Sequence, residues 1–262
     1  MFYTKLAIGG ALAVSIAVVV YKMRWLTKAG AGLGGAFGAH VVLAGGAAWA
    51  LPLAVFVASG SLFARLDGRA HGGADKPEEK TPPRTAAQVL ANGGVAWVAL
   101  VVLPYTDGMV AYMAFAGALA TATADTWGTE IGTRWRGQAW SLATGRWVEA
   151  GASGAISGAG TGAGAVGASV IAALAASVGP LSWIMAGCIA ASGVIGSLVD
   201  SGLGAFAQAQ YADPGDTKLR DRPMSASDTP VRGVRLLTNS GVNALATLAG
   251  SALAVATTVW LL

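Results

Sequence analysis

The chain has 262 residues, of which 54% are hydrophobic and only 11% charged, and its mean hydropathy is +0.58. A soluble domain carries roughly twice that charged fraction, so the composition excludes a water-exposed globule and predicts a polytopic helical membrane protein. The net charge of +4 is spread over short loops with no aromatic–basic stripe, so no nucleic-acid partner is expected. The 38 glycines suit close helix packing in lipid rather than disorder. Cys188 is the only cysteine and reads as a packed thiol. One integral membrane domain over residues 1–262 is expected.

In chain order, span 1 covers about Phe2 to Tyr21; Lys22, Arg24 and Lys28 follow it in place of a cleavage site, so it reads as a retained helix. Ala29 to Leu66 is too long for one crossing and carries Gly45-Gly46 near its middle, which predicts spans 2 and 3 joined by a tight turn. Arg65 to Arg84 is a polar loop whose prolines stop any helix, and span 4 runs from Thr85 to about Leu103. Span 5 runs from Met109 into Thr121–Arg136, which carries Asp125 and Glu130. A second polar loop, Arg134 to Ala150, holds three tryptophans suited to an interface. Span 6 covers Gly151 to Val178, span 7 Ser182 to Gln208, and span 8 starts near Leu236.

Basic residues test this layout. Loops 1–2, 3–4, 5–6 and 7–8 hold 16 of the 17 Lys and Arg, Lys5 being the exception. The positive-inside rule then predicts an all-α bundle of eight spans, charged loops in the cytoplasm and both termini outside. A plasma (inner) membrane location follows, with the polar site facing the cytoplasm.

Polar side chains recur four residues apart in four spans: Gln88 and Asn92, Thr121 and Asp125, Asn239 and Asn243, and the stripe Gly196, Asp200, Gly204, Gln208. Such residues share a helix face and must point at protein or water rather than lipid. Lone amides in membrane helices commonly serve as interhelical glue, and the GxxxG-like spacings of span 6 read as packing. Asp125 and Asp200, deep in apolar sequence, read as functional. The predicted topology puts these groups, with Arg84, Arg134 and Arg232, at the cytoplasmic ends of their spans. That convergence suits a Mg²⁺–polyphosphate site. Asp125 and Glu130 are about 140° apart on an ideal helix, so they can share an ion only if the helix breaks near Gly128.

The blocks Gln88–Gly94, Thr123-Ala-Asp-Thr-Trp-Gly-Thr-Glu-Ile-Gly132, Gly196–Gly204 and Asn239-Ser-Gly-Val-Asn243 resemble an integral membrane family that includes transmembrane protein 19 and plant phytyl-phosphate kinase. The likeness runs in order from about Leu26 to Ala254. Asp200-Ser201 is also distantly similar to the Asp-Ser ending of CTP-dependent membrane cytidylyltransferases and polyprenol kinases. The loop before span 4 is less basic than in that family, because Asp75, Glu78 and Glu79 dilute Lys76 and Lys80.

The resemblance implies a Mg²⁺-dependent kinase that passes a phosphoryl group from a nucleoside triphosphate, CTP or ATP, to an isoprenyl monophosphate. Asp125, Asp200 and Arg134 would be catalytic, with Asp125, Glu130 and Asp200 on the metal. Arg84, Gln88, Asn92, Thr126, Ser201, Gln208, Arg232, Asn239 and Asn243 would bind the substrates. A lipid phosphate is already an anion, so such a site needs charge neutralisation more than a base. No P-loop and no protein-kinase signature is present. Partners would be the lipid phosphate, the nucleotide and membrane lipids, and a homodimer is left open. A CDP-lipid-forming cytidylyltransferase and a cation- or proton-coupled transporter are the alternatives.

Overall fold

The computed structural model describes residues 2–70, 82–134, 137–212, 219–225 and 227–261. They form eight α-helices: α1 (Phe2–Lys22), α2 (Lys28–His40), α3 (Gly46–Ala70), α4 (Ala86–Val101), α5 (Gly108–Arg134), α6 (Gly158–Val178), α7 (Trp183–Phe206) and α8 (Asn239–Leu261). Hydroxyl caps start several of them. Thr27, Ser157 and Ser182 accept from the amides of Gly30, Gly160 and Met185, and Thr85 forms a capping box with Gln88. Asp107 accepts from the amides of Met109 and Val110 at the start of α5.

The stretch 29–66 divides as its glycines predict. A π-helical turn, Val41–Gly45, extends α2, and Gly46 then takes a φ of +65°, a left-handed value that a side chain disfavours. The chain reverses there. Arg65, on α3, donates to the Met23 carbonyl and sits 5.8 Å from the centre of the Trp25 ring, so α3 returns to the end where α2 began.

Five stretches are long and apolar enough to cross a membrane: Lys28–Arg65, Ala86–Tyr105, Gly158–Val178, Trp183–Phe206 and Asn239–Thr257. The Ala7–Lys22 part of α1 is apolar but shorter. Helix α5 is absent from this set because small, hydroxyl-bearing and charged residues dilute its apolar sequence, which its position in the bundle allows. It packs against α3, α4, α6, α7 and α8, and every residue from Phe115 to Ala124 is buried. Protein rather than lipid surrounds it, so small and hydroxyl-bearing residues are tolerated along its length.

Small residues set the spacing around α5. A Cβ on Gly193 would stand 2.8 Å from the Ala120 methyl, one on Gly164 2.9 Å from the Ala124 carbonyl oxygen, and one on Gly117 2.6 Å from the Ala254 methyl. At one end of the bundle, Trp49 packs on Phe115 at 4.7 Å and on Tyr112 at 5.1 Å between ring centres. The Tyr112 hydroxyl donates to the Ala48 carbonyl at 2.8 Å, which satisfies the polar end of that ring.

The opposite end carries short strands, an addition to the expected all-α bundle. β1 (Gln138–Ser141), β2 (Arg146–Glu149) and β3 (Ala155–Ile156) pair antiparallel in the order β2-β1-β3. Trp140 faces Trp147 across the hairpin with ring centres 5.3 Å apart. β4 (Tyr211–Ala212) pairs with β5 (Leu219–Arg220). Span 6 was expected from Gly151, yet α6 starts at Gly158. Gly151 and Gly154 have φ of +97° and +73°, which no helix accommodates. A Cβ on Gly154 would lie 2.3 Å from Ala205 Cα, so this turn is pressed onto the end of α7.

Candidate functional site

Helices α4, α6 and α8 begin, and α5 and α7 end, around one polar cavity of about 340 Å³. Its wall includes the first turns of three helices, at Gln88, at Ser157–Thr161 and at Asn239–Asn243. Helix N-termini present unpaired amides and a partial positive charge, so three of them at one cavity favour an anion.

Arg84 lines this cavity. Its backbone is fixed by two hydrogen bonds of 3.0 Å, Arg84 N to Trp25 O and Thr27 N to Arg84 O. Its guanidinium lies against Gly60 and donates to the Gly60 carbonyl at 3.4 Å. Burial lowers the pKa of this guanidinium, and the charges of Glu130 and Asp125 oppose that shift. Arginine stays protonated under such a load, so the cavity keeps a fixed cation.

On α5, Asp125 accepts from Asn243 Nδ2 at 3.4 Å, and the same amide donates to Asn92 Oδ1 at 3.0 Å. Three helices are thus tied together by one polar chain. Asp200, on α7, lines the same cavity as Asp125, and its Oδ2 is buried with no hydrogen-bond partner among the described residues. A carboxylate oxygen buried beside a second carboxylate is costly unless a cation joins them. The pair therefore suits Mg²⁺, which takes one or two carboxylates and fills its other positions with water and phosphate.

The expected three-acid set does not close. Among the described residues, no three Asp, Glu, His or Cys side chains are grouped to hold a metal. The break at Gly128 on which Glu130 depended is also absent, because α5 runs unbroken to Arg134. Gly128 serves packing instead, with its Cβ position 3.1 Å from the Gly160 carbonyl oxygen. Glu130 still lines the cavity, where its charge acts on Arg84.

Of the other expected residues, Gln88, Asn92, Thr126, Ser201, Gln208, Asn239 and Asn243 line the cavity. Gln88 spends its oxygen on the Thr85 amide at 2.9 Å, so its side chain has a capping role as well. Ser201 bonds back to the Ser197 carbonyl at 3.3 Å. In the stripe on α7, Gly196 packs against Thr121, so it is a packing contact. Arg134 and Arg232 correct the expectation. Neither lines the cavity, and they donate to the backbone carbonyls of Phe63 and Ala205. These long side chains pin one segment to another. Lys76 and Lys80 lie outside the described residues.

The turn from Ala150 to Ser157, Thr161 and Asp221 also line the cavity and were not foreseen. Their signal was the run Gly151-Ala-Ser-Gly-Ala-Ile-Ser157 followed by glycines, which is a glycine turn ending in an N-cap serine. Asp221 belongs to the loop after β5. Desolvation raises its carboxyl pKa, while hydrogen bonds to Gln208 and Gln210 and the charge of Arg222 pull it down.

Chemically, the cavity combines a fixed cation, two carboxylates, the first turns of three helices and a glycine-rich wall. Such a lining suits an anion, with two carboxylates on the same wall available to a cation. No curated protein and no solved structure gives a significant match to the chain. The sequence profile of the family described as integral membrane protein DUF92 matches residues 11–251, and the chain belongs to that family.

Proposed function

We propose that this membrane protein is a kinase that transfers the terminal phosphoryl group of a nucleoside triphosphate to an isoprenyl monophosphate. The observation that carries the reading is one cavity lined by Asp125, Asp200 and Arg84 and by the first turns of three helices. A phosphate oxygen of the lipid attacks the terminal phosphorus, the bond to the departing nucleoside diphosphate breaks, and the lipid becomes a diphosphate. The obstacle is repulsion between two polyanions.

Arg84 offers paired, charge-assisted hydrogen bonds to phosphate oxygens in the cavity. The first turns of α6 and α8 line the same space, where the helix dipoles add partial positive charge. Asn243 holds Asp125 in place through its amide, so that carboxylate stays directed into the cavity. Asp125 and Asp200 would hold Mg²⁺, which supplies charge neutralisation at the transferring group.

We further propose eight crossings with both termini outside and the cavity open to the cytoplasm of an inner membrane. Helices α1 to α8 supply the crossings, and the cavity adjoins the basic loops. A transport route is disfavoured by the buried Trp49, Tyr112 and Phe115 cluster at the other end of the bundle.

The test is to incubate the purified protein with Mg²⁺, labelled nucleoside triphosphates and lipid monophosphates of several lengths. Release of nucleoside diphosphate with a lipid diphosphate product is expected. Pyrophosphate release would indicate a cytidylyltransferase instead, and no nucleotide consumption with any lipid would overturn the reading.

A further inference from the structure

A second cavity, of about 390 Å³, lies between α1, α2, α3 and α4. Ile16, Val20, Phe37, Val41, Leu53 and Val57 form much of its wall. Three of its few polar side chains are Arg84, Gln88 and Asn92, and these also line the polar cavity. One cationic, hydrogen-bonding gate therefore separates a polar chamber from an apolar one.

From Leu26, which pairs with Arg84, to Val42, the wall spans roughly 20 Å at helical rise. The groove opens to the outside of the bundle. Ala50, Ala54 and Ala58 lie on one face of α3 and line it, with Ala54 and Ala58 exposed. Methyl groups there leave room that larger side chains would close. Phe37 stacks on Trp97 with ring centres 5.1 Å apart, which holds that wall in place.

We propose that this groove receives the hydrocarbon chain of a single-chain lipid phosphate, with its phosphate at Arg84. The chemistry commits to this occupant. A phospholipid brings two chains to one slot, and an uncharged terpene would leave the Arg84 gate unused. The substrate would enter sideways from the bilayer, and residues along α3 would set the length of chain accepted. The assignment rests on the kinase reading for its head group and on the groove itself for its tail.

The test uses full-length protein without nucleotide. Geranylgeranyl monophosphate with a photoreactive diazirine at its far end is bound, irradiated and mapped by peptide mass spectrometry. Labelling in residues 28–70, competed by unlabelled geranylgeranyl monophosphate and not by the matching alcohol, is expected. Labelling confined to α5–α8 would overturn the proposal, as would equal competition by the alcohol.

Ala50→Trp and Ala54→Trp, further along α3 from Gly60 and Arg84, provide the second measurement. Each should weaken binding of the long-chain monophosphate by about tenfold, because displaced methylenes lose their apolar cover. Isopentenyl monophosphate, too short to reach either position, should bind within about twofold of wild type. Long-chain binding unchanged in both variants would overturn the proposal. Should the variants fail to fold, the wild-type labelling decides alone. Groove labelling without nucleotide turnover would remove the kinase and keep the groove, and turnover without groove labelling would do the reverse.

Discussion

The guanidinium of Arg84 rests on the backbone of Gly60, whose carbonyl it reaches at 3.4 Å. A Cβ at Gly60 would stand 3.1 Å from Arg84 Nη1 and 3.2 Å from Thr126 Cγ2, so glycine is what lets the cation seat there. Arg84→Lys keeps the charge but loses the paired geometry, and nucleotide-dependent product formation should fall by about tenfold or more. Gly60→Ala should shift the guanidinium by a few tenths of an ångström and cost about fivefold. Steady-state assay of both purified variants checks this, and wild-type rates in Arg84→Lys would remove Arg84 from the site.

Arg134 and Arg232 should behave differently, because they hold backbone carbonyls outside the cavity. Arg134→Lys and Arg232→Lys are expected to retain product formation within about twofold, since the reacting groups stay in place. Each should lose about 1 kcal/mol of stability with its hydrogen bond. Thermal unfolding in detergent beside the same assay separates the two effects. A large activity loss in a variant of normal stability would return that arginine to the site.

Asp125→Asn and Asp200→Asn should each reduce Mg²⁺-dependent turnover by about a hundredfold or more. Size-exclusion profiles should stay unchanged, because Asn matches Asp in shape and both residues line a polar cavity. Chelation of divalent ions should silence the wild type and make little difference to either variant. Loss of the folded peak in both would assign the pair a structural role.

Gly154→Ala should be among the more damaging single substitutions. The new methyl group meets Ala205 Cα at 2.3 Å, and the residue must also hold a φ of +73°. Overpacking and backbone strain together should cost about 3 kcal/mol. The unfolding midpoint measures it, and a midpoint within a degree of wild type would contradict the packing described for the turn.

Topology can be checked with single cysteines in a Cys188→Ala background. Position 145, in the β1–β2 turn, should be labelled only after the inner face is exposed, and position 107, before α5, from outside in intact cells. The reverse pattern would invert the sidedness proposed here and move the cavity to the other face.

Composition and periodicity were enough to read the helices. Apolar length and a few prolines and glycines marked most of their ends, the start of α6 excepted, and Gly45-Gly46 divided α2 from α3 because backbone freedom is a local property. The acids and amides were also legible, since polar groups four apart in apolar sequence must face protein or water. Which of them meet was not. Only packing could show that Asn243 bridges Asn92 and Asp125 from three helices, or that α5 continues straight through Gly128. A glycine in sequence looks alike whether it breaks a helix or lets another approach; at Gly128 the neighbouring Gly160 carbonyl selected the second. The arginines divided for a similar reason. Arg84, Arg134 and Arg232 are equivalent by position and charge, and their separate roles come from long side chains choosing among partners that tertiary structure alone brings within reach.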